Sequence, residues 1–191
     1  MALRHGFKAQ AERIAAEVRE ELGIKLDARL SPRALAEHLE IPVLHLSDLP
    51  EVAPMISGIG DAVTVLQGAE QSALSAVTVF FGTIRAIAHN DAHSPARQAS
   101  DLAHELAHGL LLHVPAPALD ERGCRLWNQE IEDEADWLGA TLLIPGPAAR
   151  AAARGRLSHE QIAEKFGCSI EMARWRMNMT GARRILMSAR G

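Results

Sequence analysis

Residues 94–115, SPARQASDLAHELAHGLLLHVP, decide how this chain is read. Ser94 is a side-chain cap and Pro95 suits a first helical turn, so a helix begins there. Leu102, Leu106 and Leu110 recur at helical spacing and form an apolar stripe. The helix is expected to run on until Val114-Pro115, because proline cannot continue it. His104 and His108 form a separate polar stripe. Four residues turn a helix by about 400°, so the two imidazoles stand about 40° apart, one turn apart in height. Placed that way they can share one Zn2+ at about 2.1 Å each. Glu105 points about 60° from His108 on the same side. It is badly placed to ligate that ion and well placed to reach a water beside it, the geometry of a general base. At this composition the H-E-x-x-H pattern is expected by chance only about 0.03 times.

A catalytic zinc needs a third protein ligand and an open position. A histidine six residues after the motif is absent, since position 114 is Val. His113 lies about 180° round the helix from His104, so it can join only if the helix breaks early. Cys124 is near in sequence, on a loop. The remaining class is a glutamate on a following helix, where Glu130, Glu132 and Glu134 all qualify by type. Glu132 and Asp136 form a Glu-x-x-x-Asp pair one turn apart. That spacing allows Glu132 to bind metal while Asp136 accepts a hydrogen bond from a ligand histidine.

Outward from this core, Phe7, Ala11, Ile14, Ala15, Val18 and Leu22 predict an amphipathic helix closed by Gly23. Ser31-Pro32 opens a short helix to about Leu39, and 41–46 (IPVLHL) reads as a strand. Gly58-Ile59-Gly60 marks a break, with a short helix expected over 61–68. Residues 75–90 read as two strands around Gly82-Thr83. Prolines and a glycine make 114–127 a loop, and a helix is expected over 129–143 until Pro145-Gly146-Pro147 stops it.

The 191 residues suit one domain of ordinary size, or one domain with a small appendage, and 48% hydrophobic composition supports a real core. Two cysteines, Cys124 and Cys168, exclude a disulfide scaffold and suit a reducing compartment. No apolar run approaches the roughly 18 residues a membrane span needs. The stretch 1–22 lacks the apolar centre of a signal peptide. A soluble, cytoplasmic protein without membrane contact is the expectation.

Charge divides the chain. From Arg150 onward nine Lys/Arg face three Glu, giving +6, while residues 1–149 carry 11 Lys/Arg against 21 Asp/Glu, giving −10. We therefore expect a body over 1–149 and a basic helical tail over 150–191. Within the tail, 157–181 reads as helix, turn, helix, with Ser158 and Ser169 as caps and Gly167 in the turn. Ala163, Phe166 and Gly167 fall where a helix-turn-helix needs them, which would put Arg174 and Arg176 on a second helix facing phosphates. The competing reading packs Trp175, Met177 and Met179 into the body. A +6 tail on a −10 body favours packing over DNA.

Asn90-x₆-Arg97-Gln98, then Leu102-Ala103-His104-Glu105-Leu106-Ala107-His108, then Glu132-Asp133-Glu134-Ala135-Asp136 leading into Leu142-Leu143-Ile144-Pro145, resembles the ImmA/IrrE family of metallo-endopeptidases. The resemblance spans about 31–180 and implies an α+β, zincin-like domain, its small mixed sheet packed on the motif helix. It implies one Zn2+ per chain held by His104, His108 and Glu132, with Glu105 as base and Asp136 behind a ligand histidine. The implied substrate is a helix-turn-helix transcriptional repressor, cut to relieve repression. Asp136 departs from the Asn of many relatives, yet either accepts the hydrogen bond. Tyrosine is absent, so an oxyanion would fall to His89, His93 or Arg85, or to no side chain at all. Strand 84–89 could also pair with an extended substrate. The alternative function is a DNA-binding regulator with a structural or sensory metal. Glu105 argues against it, because a structural site has no use for that carboxylate.

Overall fold

The computed structural model describes residues 3–48, 51, 75–81, 84–113 and 128–182. In chain order these form α1 (Phe7–Glu21), α2 (Pro32–His38), β1 (Val43–His45), β2 (Ala76–Phe81), β3 (Ile84–His89), α3 (Pro95–Leu110), α4 (Gln129–Leu143), α5 (Gly146–Arg154), α6 (His159–Phe166) and α7 (Ile170–Met179). The architecture is α+β with a small mixed sheet. The break at 58–60, the helix over 61–68, the Gly82-Thr83 turn and the loop 114–127 with Cys124 lie outside the described residues.

Local chemistry explains most boundaries. The side chains of Ser31, Ser94 and Ser169 each accept a hydrogen bond from the backbone of the following turn. Ser158 and Gln161 complete a reciprocal capping box. Asn128 caps α4 by accepting from the Glu130 and Ile131 amides. The first strand is shorter than IPVLHL suggested: Pro42 has no N–H for the ladder, although its carbonyl accepts from Ile87 at 2.8 Å, and at the other end Leu46 opens a 3-10 turn, Leu46–Asp48.

β3 is the middle strand. It runs parallel to β1, with Val43 opposite Ile87, and antiparallel to β2, with Thr78 opposite Ile87. Both its edges are therefore hydrogen-bonded, which overturns the expectation that strand 84–89 pairs with a substrate. Residues opposite one another share a face, so Val43, Ala76, Thr78, Arg85 and Ile87 look one way. Val43, Ala76 and Ile87 pack with Leu102 and Leu106 of α3. Leu44, Val77 and Ala88 pack with Leu46 on the other face.

α4 lies directly on α3 at a glycine. A Cβ on Gly139 would stand 3.0 Å from the Ala103 carbonyl oxygen and 3.1 Å from the His104 Cα, so any larger residue would push the helices apart. Leu138 and Leu142 complete this seam, and burying each such leucine contributes roughly 1.5–3 kcal/mol. α1 is tied to α4 by Arg19. Its guanidinium is buried and donates to the Leu142, Leu143, Leu26 and Ala28 carbonyls, at 2.7 Å for the first. Burial pushes its pKa down to about 10.

The tail helices share a second core of alanines with Ile162, Phe166 and Met177. Arg150, where the charge changes sign, lies inside α5. Arg176 does not face solvent as the helix-turn-helix reading required. It is fully buried, donating to the Ile144 carbonyl at 2.8 Å and to Glu12 of α1 at 2.5 Å. Arg174 is exposed. Met177 is core and Trp175 packs edge-on against Trp137, whereas Met179 is exposed. No helix among the described residues is long and apolar enough to cross a membrane.

Candidate metal centre

α3 is anchored at its start by the residues that precede the motif. The Asn90 side chain accepts from the Ala92 amide, and Gln98 donates to the Asp91 and His93 carbonyls, which closes the β3–α3 connection. Arg97 donates to Ser75 just ahead of β2. These contacts set where α3 enters the sheet, and thus the height at which His104 and His108 stand.

The two histidines meet as the helical phase predicts. His104 Nε2 and His108 Nε2 are 3.0 Å apart. Glu132 of α4 brings Oε2 to 3.3 Å from the first and 3.7 Å from the second. Ligands about 2.1 Å from a tetrahedral ion lie about 3.4 Å from one another, so this donor set fits zinc in size and type. It is the only such group of three His, Cys, Asp or Glu among the described residues. Of the other glutamates that qualified by type, Glu130 is exposed. Glu134 is engaged by Arg4, whose Nε donates to it at 2.6 Å.

Each ligand has a partner behind it. His104 Nδ1 lies 2.9 Å from Asp136 Oδ1, which puts the proton on Nδ1 and leaves the Nε2 lone pair for a metal. Burial opposes a charge on His104, but hydrogen bonds to Asp136 and Glu132 outweigh it and raise its pKa to about 10, so a metal has to displace the Nε2 proton to use that lone pair. Burial and the neighbouring His104 charge push His108 down. The His104 contact holds Glu132 below the usual carboxylate range.

Glu105 stands apart from the three. Its Oε2 accepts the Thr78 hydroxyl of β2 at 2.5 Å. Burial raises its pKa, an effect that Thr78 and His104 partly offset. Sequence reasoning missed Thr78, since only the β2–β3 register carries it over α3.

His113 joins through the early break that its phase required, because α3 ends at Leu110 rather than at Val114-Pro115. Leu112 adopts φ +54°, its amide donates to Gly109 and the His113 amide donates to His108, closing the helix as a Schellman turn. The chain folds back and places His113 Nδ1 at 2.9 Å from His108 Nδ1. Burial lowers the His113 pKa.

The three oxyanion candidates separate. Arg85 lies beside the centre: it approaches Gly109, donates to the His113 carbonyl at 3.4 Å, and is coupled electrostatically to Glu105 and His108. His89 sits about 13 Å further along the strand at about 3.3 Å per residue. It is buried against Arg33, whose guanidinium is 2.7 Å from its Nε2 and also reaches His45. His93 faces Asp101 at 3.6 Å. His89 and His93 thus each have a partner of their own, Arg33 for the first and Asp101 for the second.

Residues 62–178 match the family described as Peptidase_M78, IrrE N-terminal-like domain. No curated protein and no solved structure matches the chain. The matched segment begins ahead of β2, takes in Thr78, Glu105 and the three converging donors, and extends through most of α7. On that match, over more than half its length, the chain belongs to the Peptidase_M78, IrrE N-terminal-like family.

Proposed function

We propose that this chain is a zinc-dependent regulatory endopeptidase with a zincin-like active site. It would hydrolyse one peptide bond in a cytoplasmic helix-turn-helix repressor and so relieve repression. One observation carries the reading: three donors converge while the adjacent Glu105 is held aside by Thr78. A structural metal site has no need of that arrangement.

His104, His108 and Glu132 would hold one zinc ion, which supplies Lewis-acid polarisation of an amide carbonyl and acidifies an adjacent water. Glu105 takes the proton of that water and returns it to the leaving amine nitrogen. Thr78 occupies Oε2, leaving Oε1 as the oxygen that carries the proton. Burial makes Glu105 a stronger base than an exposed carboxylate. Arg85 is the cation available to a developing oxyanion. An extended substrate would add to the outer edge of β2, which has no partner among the described residues.

The reading as a DNA-binding regulator draws no support from Arg176, which is buried, and keeps only Arg174. The test is Glu105→Gln beside wild type, each co-expressed with a helix-turn-helix repressor. We expect intact zinc content and cleavage lower by about 10²–10⁴-fold, with the wild-type cut mapped by mass spectrometry. Wild-type cleavage by a zinc-loaded Glu105→Gln chain would sink the mechanism.

A further inference from the structure

His104 and His108 occupy equivalent places in the motif, yet the fold supports them differently. His104 rests directly on a carboxylate, Asp136. Behind His108 there is instead a second imidazole. For His108 to offer Nε2 to a metal its proton must sit on Nδ1, and that atom faces His113 Nδ1 at 2.9 Å. Of two nitrogens at that distance one donates and the other accepts, so His113 must present a bare Nδ1 and carry its own proton on Nε2. His113 Nε2 faces Glu134 Oε2 at 3.5 Å, an ion-pair distance. Glu134 is fixed in turn by Arg4, bound to its other oxygen.

We propose that His113 and Glu134 are positioning residues: Glu134 holds His113 in its Nε2–H tautomer, and His113 thereby holds His108 with its Nε2 lone pair turned to the metal. This rests on the metal-centre reading above. Two features beyond the distances support it. Leu112 takes a left-handed conformation that its side chain does not favour, and it is 83% exposed, so no packing of its own explains the turn. What the turn does is return His113 to α3. Second, the His113 backbone is held from both sides, its amide donating to His108 and its carbonyl accepting from Arg85.

The experiment is zinc affinity of the full chain by chelator competition, with the melting temperature of each metal-free variant measured alongside. Removing an outer hydrogen-bond partner of a ligand histidine typically weakens metal binding 10–100-fold, and His113→Leu should fall in that range. His113→Gln should recover most of the loss, since its amide oxygen can accept from His108 Nδ1–H. Glu134→Gln should weaken zinc less, and should cost nothing further in a His113→Leu background. Wild-type zinc affinity in His113→Leu overturns the proposal. Equal weakening by Leu and Gln also overturns it, because that pattern reports lost packing. If His113→Leu does not fold, Glu134→Gln decides, and unchanged affinity there overturns it. A wild-type chain that binds no zinc would bring down the metal-centre reading itself, whereas tight wild-type binding with unaffected variants defeats this inference alone.

Discussion

The Thr78 hydroxyl donates to Glu105 Oε2 at 2.5 Å, joining the edge strand β2 to the motif helix α3 at the residue assigned as base. A hydrogen bond donated to a carboxylate favours its charged form, so Thr78 restrains a pKa that burial raises. Thr78→Val should therefore raise the Glu105 pKa further and move the acid limb of the pH–rate profile to higher pH. Losing a hydrogen bond to a charged group costs about 1.5–3 kcal/mol, so activity on the acid side should drop at least about tenfold. A profile of kcat/KM against pH checks this, and an unmoved acid limb would remove Thr78 from the mechanism.

Glu132 is the glutamate of α4 that faces both histidines, at 3.3 and 3.7 Å. Glu132→Ala should lose zinc stoichiometry and activity together, because a two-ligand site holds zinc poorly against a chelator. Glu130→Ala, on the exposed side of the same helix, should keep both. Zinc per chain by elemental analysis reads the difference, and full zinc in Glu132→Ala would refute the ligand assignment.

Arg176 is buried between the Ile144 carbonyl and Glu12. Arg176→Met strips the Ile144 carbonyl of its buried donor, while Glu12 keeps the Gly146 amide and some solvent, so the change should destabilise the chain by about 1–3 kcal/mol. Arg174→Ala, at an exposed position, should change stability by no more than about 0.5 kcal/mol. Urea denaturation followed by far-UV circular dichroism compares them. Equal stability of the two variants would contradict the burial described here.

Leu112 holds φ +54° with its side chain in solvent. A left-handed conformation costs a non-glycine residue roughly 1–2 kcal/mol, part of which glycine loses again through its freer unfolded chain. Leu112→Gly should thus raise stability by up to about 1 kcal/mol while leaving zinc affinity intact. A lowered melting temperature would show that the leucine side chain packs on something that the exposed conformation does not reveal.

Much of this protein is decided within a few residues of chain. The phase of His104, Glu105 and His108, the serine caps at 31, 94, 158 and 169, and the span of α4 all follow from helical periodicity and from side chains bonding the nearest turn. Those rules are local, so the sequence alone determines them. The choice among Glu130, Glu132 and Glu134 is not local. It depends on how α4 is rotated against α3, and that rotation is set where Gly139 lets the helices touch at His104. Thr78 reaches Glu105 only through the register of β2 on β3, which the burial of Ile87 against Leu102 and Leu106 stabilises. The helix-turn-helix reading of 157–181 offered Arg176 to phosphates, but Glu12, 164 residues earlier, and the carbonyl end of α4 draw it inside. His113 could join only if the helix broke early, and one left-handed leucine makes that break and brings it to His108. The first three outcomes share a physical reason: each depends on the relative rotation or register of elements far apart in sequence, which only burial of the common core determines. The fourth is a turn at the helix end, held from a distance by Arg85 of β3 on the His113 carbonyl.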